Sequence, residues 1–231
     1  MMYKAVPLLA AMTILSGCTY DPIKSLAPVQ KDGFWRKGVR FVESDAKGSS
    51  VLMGYSQYYA DGYMFDTIIH NTSQQVQEFS PAGIRCIEYD QNHKVIESSA
   101  AVDPEKKLQE ITQRLQPYEE TPGGMALLNS VASITSMFDQ PRTAQELKQQ
   151  QKERADEDAA KAENEAERQD LQREQAMYRT GFLRNHSMGP RETIAGKVVC
   201  HRLHKATTQL EVDIPVGDAS HKLVWNAAII K

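Results

Sequence analysis

His201-x-x-His204 is the spacing most like a metal site in this chain, and His186 and His221 also lie in its C-terminal half. Zinc takes imidazole nitrogens, and two histidines on one face would supply half of a tetrahedral set. The residues around them read as strand, however, where positions i and i+3 point to opposite faces. One ion does not easily take both, so these histidines are expected at exposed strand positions and no metal is expected. Nucleophilic catalysis finds no better support. The chain has no Gly-x-Ser-x-Gly elbow, no Gly-rich phosphate loop and no HExxH. Asp103, Glu105 and Glu110 are accounted for by helix starts and solvated faces. No catalytic residue and no cofactor is therefore expected. Tyr55, Tyr58, Tyr59 and Tyr63 form the leading candidate for a recognition surface, because tyrosines offer rigid amphipathic contact area. Packing of the same rings over a sheet edge is the competing reading.

Cys18 is a reactive residue of another kind. It closes Leu15-Ser16-Gly17-Cys18, behind a positive start at Lys4 and a short apolar run from Ala5 to Leu15 broken by Pro7 and Thr13. That order is the layout of a secretory signal, and the run is too short to span a bilayer. The segment resembles the lipobox of bacterial lipoproteins, in which the cysteine is lipidated and becomes the mature N-terminus. The resemblance implies that residues 1–17 are removed and that lipid on Cys18 holds the protein to a membrane. Several chains anchor stably where one binds only marginally. Thr19 follows in place of the Asp that, in enterobacterial-type sorting, retains lipoproteins in the inner membrane. The resemblance thus points to the outer membrane, with the body facing the periplasm. In that oxidising compartment Cys86 and Cys200, both in β-like text, are expected to form a disulfide. Two unrelated buried thiols are the alternative, because sequence does not show that they meet.

Elements must position these residues, and composition bounds them first. Removal of residues 1–17 leaves about 214 residues, enough for one large domain or a domain with an insertion. The formal net charge of -3 and the absence of a basic cluster argue against nucleic acid. Residues 18–33 contain two prolines and little periodicity, and read as a tether for the lipid, with an ordered arm lying on the domain as the alternative. From 34 to 102 the text is β-like, with alternating runs near Val39–Glu43, Val51–Tyr55, Met64–His70, Ile84–Tyr89 and Lys94–Ser98. Asp103-Pro104-Glu105 opens a helix with an N-cap acceptor and a proline. Its apolar face is Leu108, Ile111 and Leu115, and Pro117 is expected to stop it. Thr121-Pro122 begins a second helix that runs through Phe138. Thr143-x-x-Glu146 has capping-box spacing and opens a third, polar to about Met177 and roughly 50 Å long.

Along that third helix Ala155, Ala159, Ala162 and Ala166 make a heptad-like stripe of small residues. A coiled-coil seam wants larger side chains, so a solvated helix held by pairs such as Lys161–Glu165 and Arg154–Asp158 is preferred. Self-association or a partner helix through 143–177 stays open. From 181 to 231 alternation returns, with Ile194, Val198 and Cys200 on one face, then Leu210, Val212 and Ile214, then Leu223, Trp225 and Ala227. Neither β half closes a sandwich alone. The predicted fold is mainly β: one antiparallel sandwich built from 34–102 and 181–231, interrupted by a helical insertion at 103–180.

The run from Leu183 to Val199, with its basic and polar start, Gly189-Pro190 turn and Gly196-x-Val198, resembles a segment of immunoglobulin-like sandwiches of bacterial exported proteins. Asn71-Thr72-Ser73 and Phe79-Ser80-Pro81 are similar to the strand end and edge that pair with it there. The order Gly-Pro departs from the commoner Pro-Gly. The match spans about sixty residues, implies a fold and brings no catalytic residue with it. The expected function is a non-catalytic protein-binding module serving envelope assembly, secretion or toxin immunity, with an unidentified periplasmic or envelope protein as partner. An envelope enzyme, or an inhibitor of one, acting on lipid or peptidoglycan is the alternative.

Overall fold

The computed structural model describes residues 23–59, 62–119 and 144–229. There the chain forms β1 (Lys24–Pro28), β2 (Gly33–Arg36), β3 (Val39–Ala46), β4 (Ser49–Tyr59), β5 (Gly62–Asn71) and β6 (Gln77–Phe79). After β7 (Arg85–Tyr89) and β8 (Val95–Ala100) come two helices, α1 (Pro104–Glu119) and α2 (Ala144–Gly181). The strands β9 (His186–Met188), β10 (Thr193–His201), β11 (Gln209–Val216) and β12 (Ala219–Ile229) follow.

Two five-stranded antiparallel sheets make a sandwich, in the orders β1-β12-β11-β7-β8 and β10-β5-β4-β3-β2. Each draws strands from both sides of the helical block, so neither half of the chain closes a sheet alone. The alternation that predicts the faces is the alternation observed. Leu210, Val212, Ile214 and Val216 of β11 are all fully buried, as are Leu223 and Trp225 of β12. Burial of such side chains contributes roughly 1.5–3 kcal/mol each, which is why a one-residue slip of either strand is strongly disfavoured. Cys86 of β7 and Cys200 of β10 join as a disulfide between the sheets, with Cα atoms 5.9 Å apart and a sequence separation of 114. The bridge therefore bypasses the helices.

The Leu183–Val199 run and the Asn71–Pro81 run do meet. Phe79 pairs with His186 and Gln77 with Met188 in a two-stranded ribbon of β6 and β9. Asn71, fully buried, donates from Nδ2 to the carbonyls of Gln75, Met188 and Gly189 at 2.8, 3.1 and 2.9 Å. Gly196 has a specific role here: a Cβ on it would lie 2.5 Å from the backbone N of Leu183, so only glycine lets the chain leaving α2 cross β10 so closely.

The helices cover the outer face of the second sheet. Met64 and Val199 supply the sheet's side of a small second core, and Ile111, Leu115, Leu171, Tyr178 and Phe182 supply the helical side. Asp103 caps α1 as expected, its Oδ1 accepting from the Glu105 amide at 2.9 Å. Pro117 does not stop α1, which runs on to Glu119. So near the C-terminal end a proline removes one i→i−4 bond without breaking the helix. The second helix expected from Thr121 to Phe138, and the cap at Thr143, lie outside the described residues.

The tether expectation needs a larger correction. Lys24–Pro28 is not linker but the edge strand β1, paired with β12 from Lys24↔Ile229 to Pro28↔Trp225. Lys24 and Leu26 face inward and are buried, while Ser25 and Ala27 face out. A five-residue strand with a lysine in an inward position carries almost no hydrophobic periodicity, so pattern reading passes over it. Gly33, at the end of the same stretch, opens β2.

Candidate functional site

The four tyrosines do not form an open surface. Tyr63 is buried, with only 1% of its area exposed, and its hydroxyl accepts from the Lys24 amide at 2.8 Å. Tyr55 and Tyr58 both lean on it, with ring centroids 6.0 and 5.1 Å away. Phe65 continues the tier to Trp225 at 4.7 Å. The cause is a register shift between Tyr55 and Gln57: one extra residue in β4 lets two tyrosines three apart turn to the same inner face. Tyr59 points the other way and packs with the helical core. Burial raises the phenol pKa of Tyr55 and Tyr63, so both remain neutral donors. The sheet-packing reading of these residues is the one observed.

The histidines divide. His201 and His204 are exposed, and no group of three metal-ligating side chains occurs among the described residues. His221 was expected with the exposed histidines and is instead completely buried. It lies two residues before Leu223, on the same inward face of β12, where period-two alternation places it. Its Nδ1 lies 2.9 Å from the Ser44 carbonyl and its Nε2 lies 2.8 Å from Ser49 Oγ. A carbonyl only accepts, so Nδ1 carries the proton and the serine hydroxyl donates to Nε2. That is the hydrogen-bond order of a serine nucleophile and its base. Ser49 is 1% exposed, however, and neither residue lines any of the cavities described below. The pair pins the β3–β4 hairpin to β12.

Burial lowers the His221 pKa below its ordinary value. A base whose pKa is depressed on folding binds its proton more readily in the unfolded chain. Its contribution is complete above the unfolded value of about 6.5 and is lost as pH falls below that value toward the folded pKa. Urea midpoints are therefore expected to drop between neutral pH and mildly acidic pH. His221→Gln is expected to flatten that slope while lowering the midpoint at neutral pH. An unchanged slope in the variant would remove His221 from this role.

A cavity of about 460 Å³ opens where α1, α2 and the second sheet meet, lined among others by Tyr59, Asp103, Lys107, Glu110, Tyr178 and His201. Its ionisable groups hold the helices in place. Asp103 caps α1, and Lys107 lies 3.9 Å from Glu110 and 3.7 Å from Glu174. Burial, with the nearby carboxylate of Glu174, pushes the Tyr178 phenol up to about 12. Tyr178 is thus a permanently protonated wall of the cavity, stacked on Phe182 at 4.1 Å.

Two buried charges escape any sequence pattern. Glu88 in β7 is 4% exposed, and Lys24 in β1 is 2% exposed. Glu88 Oε2 accepts from the His204 amide at 2.8 Å and from the Thr207 hydroxyl. Lys24 Nζ donates to the carbonyls of Lys205, at 2.8 Å, and of Thr207. A carboxylate from β7 and an ammonium from β1, strands separated by β12 and β11 in the first sheet, thus hold one loop, 202–208. The faces were legible, since Ile84, Cys86 and Glu88 alternate inward. The use of Glu88 was not, because its partners are backbone and a hydroxyl more than a hundred residues away.

The longest exposed run lies in α2. Residues 151–167 are exposed on every side of the helix, and burial resumes at Leu171. At 1.5 Å per residue that makes an arm about 25 Å long. Its surface is laced by Lys161–Asp158 at 3.8 Å and Arg168–Glu165 at 2.8 Å, each i,i+3 rather than the i,i+4 pairs that spacing suggests. Lys107–Glu174 and Arg114–Glu167, the latter at 3.1 Å, fasten the base of the arm to α1. No described helix is long and apolar enough to cross a membrane. No protein-family model, curated protein or solved structure matches the chain.

Proposed function

We propose that this chain is a periplasmic lipoprotein, held at the outer membrane by lipid on Cys18, that acts by binding another envelope protein through its helical arm and without catalysis. The observation that carries the binding role is the run 151–167, a helix exposed on all sides and fixed at its base. A helix polar all round stands in solvent on its own charge pairs, which leaves every face of this one open to a partner. Its alanine stripe at 155, 159, 162 and 166 gives a partner helix room to approach. The inter-sheet disulfide fits an oxidising compartment. Cys18 itself lies outside the described residues, so its role rests on the sequence.

Deletion of residues 149–166 removes five turns and leaves the flanking helix in phase. Affinity capture from membranes is expected to lose the same partner that full-length protein retains, with the unfolding midpoint little changed. Capture unaffected by the deletion would sink the arm as the interface. Separately, Cys18→Ser is expected to move the protein from the membrane to the soluble fraction, since lipid supplies the stable attachment. Persistence of the variant in the membrane fraction would refute anchoring at Cys18.

A further inference from the structure

Of the seven large hydrophobic side chains left exposed among the described residues, five gather at one sandwich edge, and Val76 and Val95 lie elsewhere. Ile23, Val29, Phe34 and Trp35 are 40, 43, 45 and 72% exposed, and they fall within thirteen consecutive residues of one sandwich edge. Ile229, 56% exposed, is paired directly opposite Lys24 at the start of that edge. In β2, the outermost strand of its sheet, all four residues are exposed. Phe34 stacks on Phe41 at 5.6 Å on one face of the hairpin, while Trp35 stands on the other face opposite Arg40. The hairpin turns at Lys37 and Gly38, both at positive φ. Arg40 donates to the carbonyls of Gln30 and Lys31, at 3.2 and 2.8 Å, which fastens the β1–β2 connection to the hairpin. The edge is one rigid piece.

Charge distinguishes this edge from an ordinary apolar patch. Between Val29 and Arg40 the cations are Lys31, Arg36, Lys37 and Arg40 against Asp32 alone, in a chain whose formal net charge is -3. Beside the hairpin tip a cavity of about 370 Å³ is lined by Arg36, Lys37, Phe41, Asp66 and Lys197, among others. Lys197 is matched by Asp66 at 2.5 Å, so the excess positive charge there is that of Arg36 and Lys37. An exposed tryptophan among cations is the composition of a membrane interface.

Chain length sets how far this edge can be from the lipid. Six residues separate Cys18 from Lys24, and an extended chain covers at most about 3.6 Å per residue. Lys24 is thus held within roughly 20 Å of a lipidated Cys18. The start of β1 lies at the same end of the sandwich as the β2–β3 turn, since the Lys24 amide bonds to Tyr63 beside the β4–β5 turn.

We propose that the β1–β2 edge and the β2–β3 hairpin dock on the anionic phospholipid surface to which the chain is tethered, with Trp35 as the interfacial anchor and Arg36 and Lys37 on the headgroups. The proposal rests on lipid at Cys18 for its geometry, and it adds a fixed orientation to the attachment.

The chain's two tryptophans make the test direct, because Trp225 is fully buried and Trp35 is open. The full-length lipidated protein is placed in phosphatidylethanolamine–phosphatidylglycerol vesicles containing acyl-brominated lipid, and the mass of the N-terminal peptide establishes the lipid on Cys18. Bromolipid is expected to quench the emission of the wild type and to leave Trp35→Phe almost unquenched. Arg36→Glu with Lys37→Glu is expected to shift the docked population by roughly fivefold for each cation lost, at about 1 kcal/mol per cation near an anionic surface. Phosphatidylcholine vesicles are expected to weaken docking in the same direction. If Cys18 is lipidated and Trp35 stays open to aqueous acrylamide and unquenched by bromolipid, docking is overturned while anchoring stands. Shielding of Trp35 in whole envelopes but not in vesicles overturns it in favour of a protein on the β2 edge. An unlipidated Cys18 overturns both.

Discussion

Replacing Cys86 and Cys200 together by alanine is expected to lower the free energy of unfolding by about 4–5 kcal/mol. The bridge closes a loop across a sequence separation of 114 residues, and in the chain-entropy model a loop of that size restricts the unfolded chain strongly. The fold adds a reason of its own. β7 and β10 flank the helical block in sequence, so among the described residues the disulfide is the one covalent tie between the two halves of the chain that does not run through α1 and α2. Without it, the two sheets rely on their backbone connections, on the buried tier around Val212, Trp225 and Phe65, and on cross-sheet hydrogen bonds such as those of His221. A typical domain is stable by about 5–15 kcal/mol, so a third or more of that reserve is at stake. Urea unfolding of the double variant measures the loss, and reduction of the wild type should reproduce most of it. A change below about 1 kcal/mol in both would show that the bridge constrains little.

What the residue pattern conveyed, and what it did not, follows from the range of the interactions involved. Alternation specified β5, β11 and β12 because their inward positions are apolar and consecutive. It specified the inward face of β7, including Glu88, because parity does not depend on residue type. It would equally have placed His221 had the run been extended two residues before Leu223. The tyrosines misled because a single inserted residue at the β4 bulge reverses parity, and nothing local marks it. β1 was hidden for the opposite reason: Lys24 occupies an apolar position and is satisfied by carbonyls of residues 205 and 207. The helix over 151–167 was plain from composition, while its freedom from the sandwich came only with the fold. The exposed β2 edge was legible as a cluster of letters, Phe34-Trp35-Arg36-Lys37, and invisible as a surface until β2 proved to be outermost.

Glu88→Ala is expected to cost about 3–5 kcal/mol, nearly as much as the disulfide. The substitution deletes two hydrogen bonds, from the His204 amide and the Thr207 hydroxyl, and leaves both donors without that acceptor. Bonds to a charged group contribute about 1.5–3 kcal/mol each, and a buried partner left behind adds its own desolvation cost. Glu88→Gln keeps one carbonyl oxygen in place and is expected to lose about half as much. Lys24 makes the case more than additive. It holds the same loop through Lys205 and Thr207, so loosening 202–208 also loosens the carbonyls that satisfy a buried ammonium. A double-mutant cycle of Glu88→Ala with Lys24→Met is therefore expected to show coupling of about 1–3 kcal/mol. Hydrogen exchange should speed at the amides of 204–208 while that of Val212 follows global unfolding. A loss below about 1 kcal/mol, or additive effects, would mean that the loop is held by other contacts. The mechanical consequence is specific to this chain. Lys24 is six residues from Cys18, so any pull from a lipid anchor enters the sandwich at β1 and is resisted first by the 202–208 loop. Glu88 secures that loop from β7, two residues along the strand from Cys86. β1, the loop and the inter-sheet bridge thus form one continuous path, and weakening Glu88 is expected to free β1 from β12 before the rest of the sandwich opens.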